Sequence, residues 1–125
     1  MGTHYKELIV WQKSILLVKQ IYRVTQTFPA SEMYGLVNQM RRASVSIPSN
    51  IAEGQARKTS AEFGHFLSIS RGSLAELETQ MIIARDLSYM SQVQFDECVL
   101  LHDEVSRMLV ALRANILKCG ISTRN

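Results

Sequence analysis

A chain of 125 residues has room for one domain around one core. At 46% hydrophobic and 20% charged residues it is ordinary globular material, and two prolines and six glycines argue against a disordered, loop-rich or β-rich chain. A net charge of +3 and a pI near 9.1 permit a polyanionic partner without demanding one.

The N-terminus, Met1-Gly2-Thr3-His4-Tyr5-Lys6-Glu7, is polar where a signal peptide would begin its apolar run, and Lys6 stands where a myristoylation motif wants Ser or Thr. The first helix is expected over 6–26. Leu8, Trp11, Ile15, Val18 and Tyr22 recur at alternating steps of three and four, with Ile9, Leu16, Leu17 and Ile21 widening that face. Gln12, Lys13, Lys19 and Gln20 break the same stretch, so it falls short of the ~18 apolar residues of a membrane helix. The expected compartment is the cytoplasm.

Phe28-Pro29 ends this helix, and a second is expected over 31–54, with Ser31 as N-cap and Glu32 beside the positive helix end. Its stripe is Met33, Leu36, Met40, Ala43, Ile47 and Ile51. Pro48 lies inside the pattern, which implies a kink or a carbonyl near Ser44 left to other donors, and Gly54 reads as the C-terminal stop. The third helix, 60–87, opens on the capping box Thr59-x-x-Glu62 and carries the seam Phe63, Leu67, Ser70, Leu74, Leu77, Met81 and Ala84. The fourth, 92–118, opens on a second box, Ser91-x-x-Gln94, with the stripe Cys98, Leu101, Val105, Met108 and Leu112 and with Gly120 as cap. Residues 121–125 read as a frayed tail.

Cys98 reads as core and Cys119 as an exposed end residue. Twenty-one residues apart on one helix, they stand ~30 Å apart, beyond disulfide reach, and are expected as free thiols. Joints of a few residues make successive helices antiparallel, so the expected fold is all-α: one domain, 1–125, an up-down-up-down four-helix bundle.

Several motifs carry a resemblance. They are Leu8-x-x-Trp11-Gln12-Lys13, then Gln39-x-Arg41-Arg42-Ala43-x-x-Ser46-Ile47-x-x-Asn50-Ile51-Ala52-Glu53-Gly54, then Phe63, Phe66-Leu67 and Gly72-Ser73-Leu74-x-Glu76-Leu77-Glu78. Over nearly the whole chain they resemble the bacterial four helix bundle protein family, also called the 23S rRNA-intervening-sequence protein family. That resemblance implies a bundle assembling into a ring-like homopentamer, with a biochemical function largely unknown. Some members are encoded within insertions in large-subunit rRNA genes. The chain is also similar to the accessory variability determinant of diversity-generating retroelements, a basic pentamer, more strongly basic than this chain, that binds nucleic acid and partners a reverse transcriptase.

Chemistry-bearing patterns are sparse. Glu62-x-x-His65 has di-iron spacing, but His102 has Val99 three residues before it, so the second half of such a site is missing and Glu62 is explained by its capping box. No Ser/His/Asp or Cys/His arrangement and no glycine-rich phosphate loop assembles, so no catalytic residue, metal or cofactor is expected. Arg57, Lys58 and Arg41 are the candidate phosphate contacts, because an Arg fork matches phosphate oxygens. The plainer reading of the Arg41-Arg42 and Arg57-Lys58 pairs, and the favoured one, is solvated surface or ion pairing with Glu53, Glu76 or Glu78.

Gln39, Arg42, Ser46, Ser49 and Glu53 line one side of the second helix, and Glu62, Ser73, Glu76 and Gln80 one side of the third. These stripes read as structural, with Arg42, Glu53 and Glu76 the candidate members of a buried or half-buried polar network. Val45, Ala52, Ile69, Ile83, Leu100 and Val110 fall off the core-facing seams and are expected at subunit contacts. The expected function is that of a non-enzymatic homo-oligomer, pentameric by resemblance, acting through binding, with RNA or DNA as the foremost partner class. The alternative is an oligomeric scaffold for a protein partner without nucleic acid.

Overall fold

Short connections turn each helix back along its predecessor. The computed structural model describes residues 4–120, with side chains through Lys118. The expectations for Met1-Gly2, for the Cys119 side chain and for the tail 121–125 lie outside the described residues. Four helices carry the fold: α1 (Ile9–Thr25), α2 (Leu36–Gln55), α3 (Ser60–Asp86) and α4 (Gln92–Asn115). Each packs against its neighbours in the order α1, α2, α3, α4 and back to α1, which closes an antiparallel up-down-up-down bundle. Two 3-10 turns, Tyr5–Glu7 and Ala30–Glu32, precede α1 and α2, and a π-helical turn, Ile116–Gly120, extends α4 up to the glycine read as its cap. No strand occurs among the described residues.

All seven seam residues of α3 are buried, and they meet Leu17 and Ile21 of α1, Met40, Ile47 and Ile51 of α2, and Cys98, Val105 and Leu109 of α4. Burial of each large side chain contributes roughly 1.5–3 kcal/mol.

Two helices turn a different face inward than their apolar pattern suggests. The buried face of α1 is Val10, Ser14, Leu17, Ile21 and Thr25, whereas Trp11, Ile15 and Val18 are half-buried and Tyr22 is exposed. Ser14 and Thr25 tolerate burial because their hydroxyls donate to carbonyls of their own helix, Trp11 at 2.7 Å and Ile21 at 2.7 Å. On α4 the buried line is Cys98, His102, Val105 and Leu109, with Leu101, Met108 and Leu112 at its margin.

Helix starts also differ. Ser31 is not the N-cap of α2: it lies in the 3-10 turn, and Met33 is exposed. Gly35 is the N-cap, and Glu32 supplies the missing acceptor, taking the Leu36 N–H at 3.1 Å. Its other oxygen accepts from the Tyr89 hydroxyl at 3.1 Å, tying the α1–α2 connection to the α3–α4 turn. The Ser91 box at α4 is complete, but at α3 the Thr59 hydroxyl accepts from the Glu62 N–H and then donates to the Glu62 carboxylate instead of receiving it at the backbone.

Gly54 is not a helix stop. It is buried inside α2, where a Cβ would lie 2.8 Å from Phe66 Cβ and 2.9 Å from Phe63 Cδ1, so its missing side chain lets α3 approach. At the opposite side of α3, Gly64 does the same for Leu117, and the Gly64 carbonyl accepts from Arg113 Nε at 2.9 Å. α2 runs unbroken through Pro48, with side-chain donors on the carbonyls just before it: Ser70 Oγ reaches the Ile47 carbonyl at 2.9 Å and Asn50 Nδ2 that of Ser46 at 2.8 Å.

Candidate functional site

The intimate contact of α2 with α3 places the two polar stripes opposite each other. At its tightest point the hydroxyls of Ser46 and Ser73 lie 2.8 Å apart, with Asn50 Nδ2 donating to Ser46 Oγ at 3.0 Å. Small residues do this because larger ones would hold the helices apart. Toward the start of α2 the helices diverge into a polar cleft of about 360 Å³ lined by Asn38, Gln39, Arg42, Ser46, Glu76 and Gln80.

Arg42 and Glu76 line this cleft but are exposed, and neither makes a hydrogen bond or ion pair among the described residues. The buried network expected of Arg42, Glu53 and Glu76 is therefore not formed in the single chain. Long charged side chains stay hydrated at the mouth of the cleft, and the serines take the buried positions. Glu53 is also exposed and pairs within its own helix, accepting from Arg57 at 2.7 Å.

The candidate phosphate contacts are partly committed elsewhere. The Arg57 guanidinium, besides Glu53, lies 4.7 Å from the centroid of the Phe66 ring. Arg41 is half-buried: its Nε donates to Thr25 Oγ1 at 3.0 Å and its Nη2 to the Tyr22 carbonyl at 3.4 Å, with the guanidinium 4.6 Å from the Tyr22 centroid. It clamps α1 to α2. Lys58 is exposed in the α2–α3 joint and makes an intramolecular contact. Exposed cations outside these pairs include Lys19, Arg23, Arg42, Arg71 and Arg107.

On the other side of α2, its contact with α1 leaves an apolar groove of about 390 Å³. Trp11, Ile15 and Val18 form one wall, and Val45, Pro48 and Ala52 the other, with Tyr5 set edge-on to Trp11. These are the α1 residues that the apolar pattern assigned to the core. Val45 is 40% exposed, and Ile69, Ile83, Leu100 and Val110 are also exposed. The groove continues past Val45 to Tyr22, Arg41 and Arg42, so apolar and cationic surface meet along one helix.

Chemically, this surface can bind. Among the described residues no Ser or Cys is hydrogen-bonded to a His. Glu62 and His65 share a shallow cleft with Arg57 and Phe66. Cys98 is buried, which pushes its thiol up to about 11, with the Glu97 charge adding to the effect. The hydrogen bond to Glu32 likewise raises the pKa of Tyr89, with burial and the carboxylate charge adding.

The fold and its surface define a small all-α four-helix-bundle protein with an uncovered trough beside its second helix. Within that class the chain belongs to the family described as 23S rRNA-intervening sequence protein, whose profile matches residues 6–111. No curated protein matches the chain. No helix among the described residues is long and apolar enough to cross a membrane.

Proposed function

We propose that this protein is a non-enzymatic, cytoplasmic homo-oligomer that acts through binding, with five subunits as its family resemblance implies. The observation that carries the reading is the apolar groove between α1 and α2. Trp11, Ile15 and Val18 repeat with helical spacing, yet their own bundle leaves them half-exposed. Contiguous apolar surface rimmed by polar groups marks an interaction site. A closed ring covers the same patch on every copy. Changing Val45 and Ile15 together to Glu is expected to yield folded monomers, seen as a fall in mass with an unchanged helical circular dichroism spectrum. An unchanged mass removes the groove from the interface.

Nucleic acid is the proposed partner class. Five copies at +3 each carry +15, so a modest charge becomes a substantial field once ringed. Scattered Lys and Arg neutralise phosphates without reading bases, so binding is expected to be weak per subunit, indifferent to sequence and steeply salt-dependent. Lys58 and Arg57 sit at the exposed α2–α3 joint, where a ring would repeat them around one rim. Changing both to Glu is expected to weaken binding to any RNA or DNA equally and to flatten the salt slope. The alternative, a scaffold for a protein partner, is favoured by a specific observation: Arg41 and Arg57 already hold intramolecular partners. Absence of binding to single- or double-stranded RNA and DNA at ~50 mM salt, with the oligomer intact, selects the scaffold.

A further inference from the structure

The Glu78, His102 and Asp103 side chains converge where α3 meets α4, away from the groove and cleft described above. One ligand-capable atom of each lies within 4.8 Å of the other two. His102 is 5% exposed and sits on the buried line of α4, so its ring is held in place by the core. Its Nε2 lies 2.7 Å from the Leu74 carbonyl oxygen. A carbonyl only accepts, so Nε2 carries the proton and donates it.

That assignment fixes the other nitrogen. In the neutral ring Nδ1 is an acceptor, and it faces another acceptor, Asp103 Oδ1, at 3.5 Å. A Glu78 carboxylate oxygen lies within 4.8 Å of a ligand-capable atom of each of these two side chains. A ring nitrogen and two carboxylates converging on one place call for a cation between them, either a second proton on Nδ1, which would donate to Asp103, or a metal ion. The 3.5 Å separation is close to the roughly 3.3 Å between adjacent ligands of a tetrahedral ion bonded at ~2.0–2.1 Å. A histidine whose far N–H is anchored on a backbone carbonyl is also the arrangement that orients an imidazole for metal. Glu78 is exposed and free to close the remaining distance, and Asp103 is half-buried.

We propose that His102 Nδ1, Asp103 and Glu78 form a binding site for a divalent first-row transition ion of the zinc type, joining α3 to α4. One imidazole and two carboxylates supply the nitrogen and oxygen donors that such an ion accepts, and a fourth position stays open to solvent or to a partner's side chain. The ion also offsets the negative charge of the two carboxylates beside the buried ring.

Titration of the full chain with Zn²⁺ by calorimetry, in a non-chelating buffer at neutral pH, tests this. The expected result is one ion per chain, together with a raised thermal midpoint. Glu78→Gln and Asp103→Asn should each lower affinity about tenfold or more while leaving the metal-free midpoint unchanged. His65→Ala, which removes one of the two exposed histidines, should leave affinity within about twofold, as should His4→Ala, well short of the loss expected at a ligand. Because His102 is buried in the core, its role is read in the unaltered protein: the His102 Nδ1 NMR resonance should shift on adding Zn²⁺, with Nε2 remaining protonated. Absence of binding, binding that either carboxylate variant leaves intact, loss on His65→Ala or His4→Ala, or an unmoved His102 resonance overturns the site.

Discussion

Arg41 and Arg42 are adjacent in sequence and lead different lives in the structure. Arg41 donates to Thr25 and to the Tyr22 carbonyl while stacking on the Tyr22 ring, whereas Arg42 stands in solvent at the mouth of the cleft. Truncating Arg41 to Ala is expected to cost about 1–2 kcal/mol, since its charged hydrogen bonds tie two helices together. Arg42→Ala and Glu76→Ala should each stay within about 0.5 kcal/mol. Urea unfolding of the three variants checks the contrast. Cys98 offers a second test. Burial raises its thiol from the ordinary 9.0 to about 11, so the unfolded chain ionises first as pH rises. The resulting stabilisation is complete below pH 9 and is lost as pH climbs through about 11. Replacing Cys98 with Ala should flatten that alkaline fall, and in a Cys119→Ser background a thiol reagent should label Cys98 only as fast as the protein unfolds. Tyr89, raised above 10.0, adds a loss of the same sign at higher pH.

Helix identity was legible in the sequence, and helix orientation only in part. The α3 seam reads directly because six of its seven residues are apolar and the seventh, Ser70, donates its hydroxyl to the Ile47 carbonyl, while the other buried serines of α3, Ser60 and Ser73, lie off that seam. α1 misleads because two of its five buried positions are Ser14 and Thr25, while the better apolar repeat belongs to the groove. Hydrophobic period records what is apolar, not which of two apolar faces meets its own bundle. Gly54 misleads for a related reason: glycine after a helical pattern suggests a cap, but here it clears space for Phe63 and Phe66. Gly72 is the internal control, with no atom within 4 Å of an added Cβ. Gly72→Ala is expected to stabilise by about 0.5–1 kcal/mol through helix propensity. Gly54→Ala should destabilise by about 1–2 kcal/mol, as overpacking against a Cβ and a ring outweighs the same gain. Thermal melts of both decide it; stabilisation by both would mean that α2 and α3 do not approach so closely.

For the whole molecule, α-helices and short joints made the bundle legible, because four amphipathic segments with antiparallel connections have few other ways to bury their stripes. The polar stripes of α2 and α3 were also legible, since periodicity alone places Ser46 and Ser73 on them. What went unread was which members touch: that depends on how closely the two helices approach, which Gly54 and the serines set. Glu32 and Tyr89, 57 residues apart, offered no local signal at all. The exposed positions Val45, Ile69, Ile83, Leu100 and Val110 also follow from periodicity, and Val45 lies on the groove that the proposed assembly would cover.

Light scattering on the unmodified chain at micromolar concentration tests the central claim most directly. The account predicts one species of about five times 14.2 kDa. A single species at 14.2 kDa would contradict it, leaving the α1–α2 groove open to solvent or to another protein.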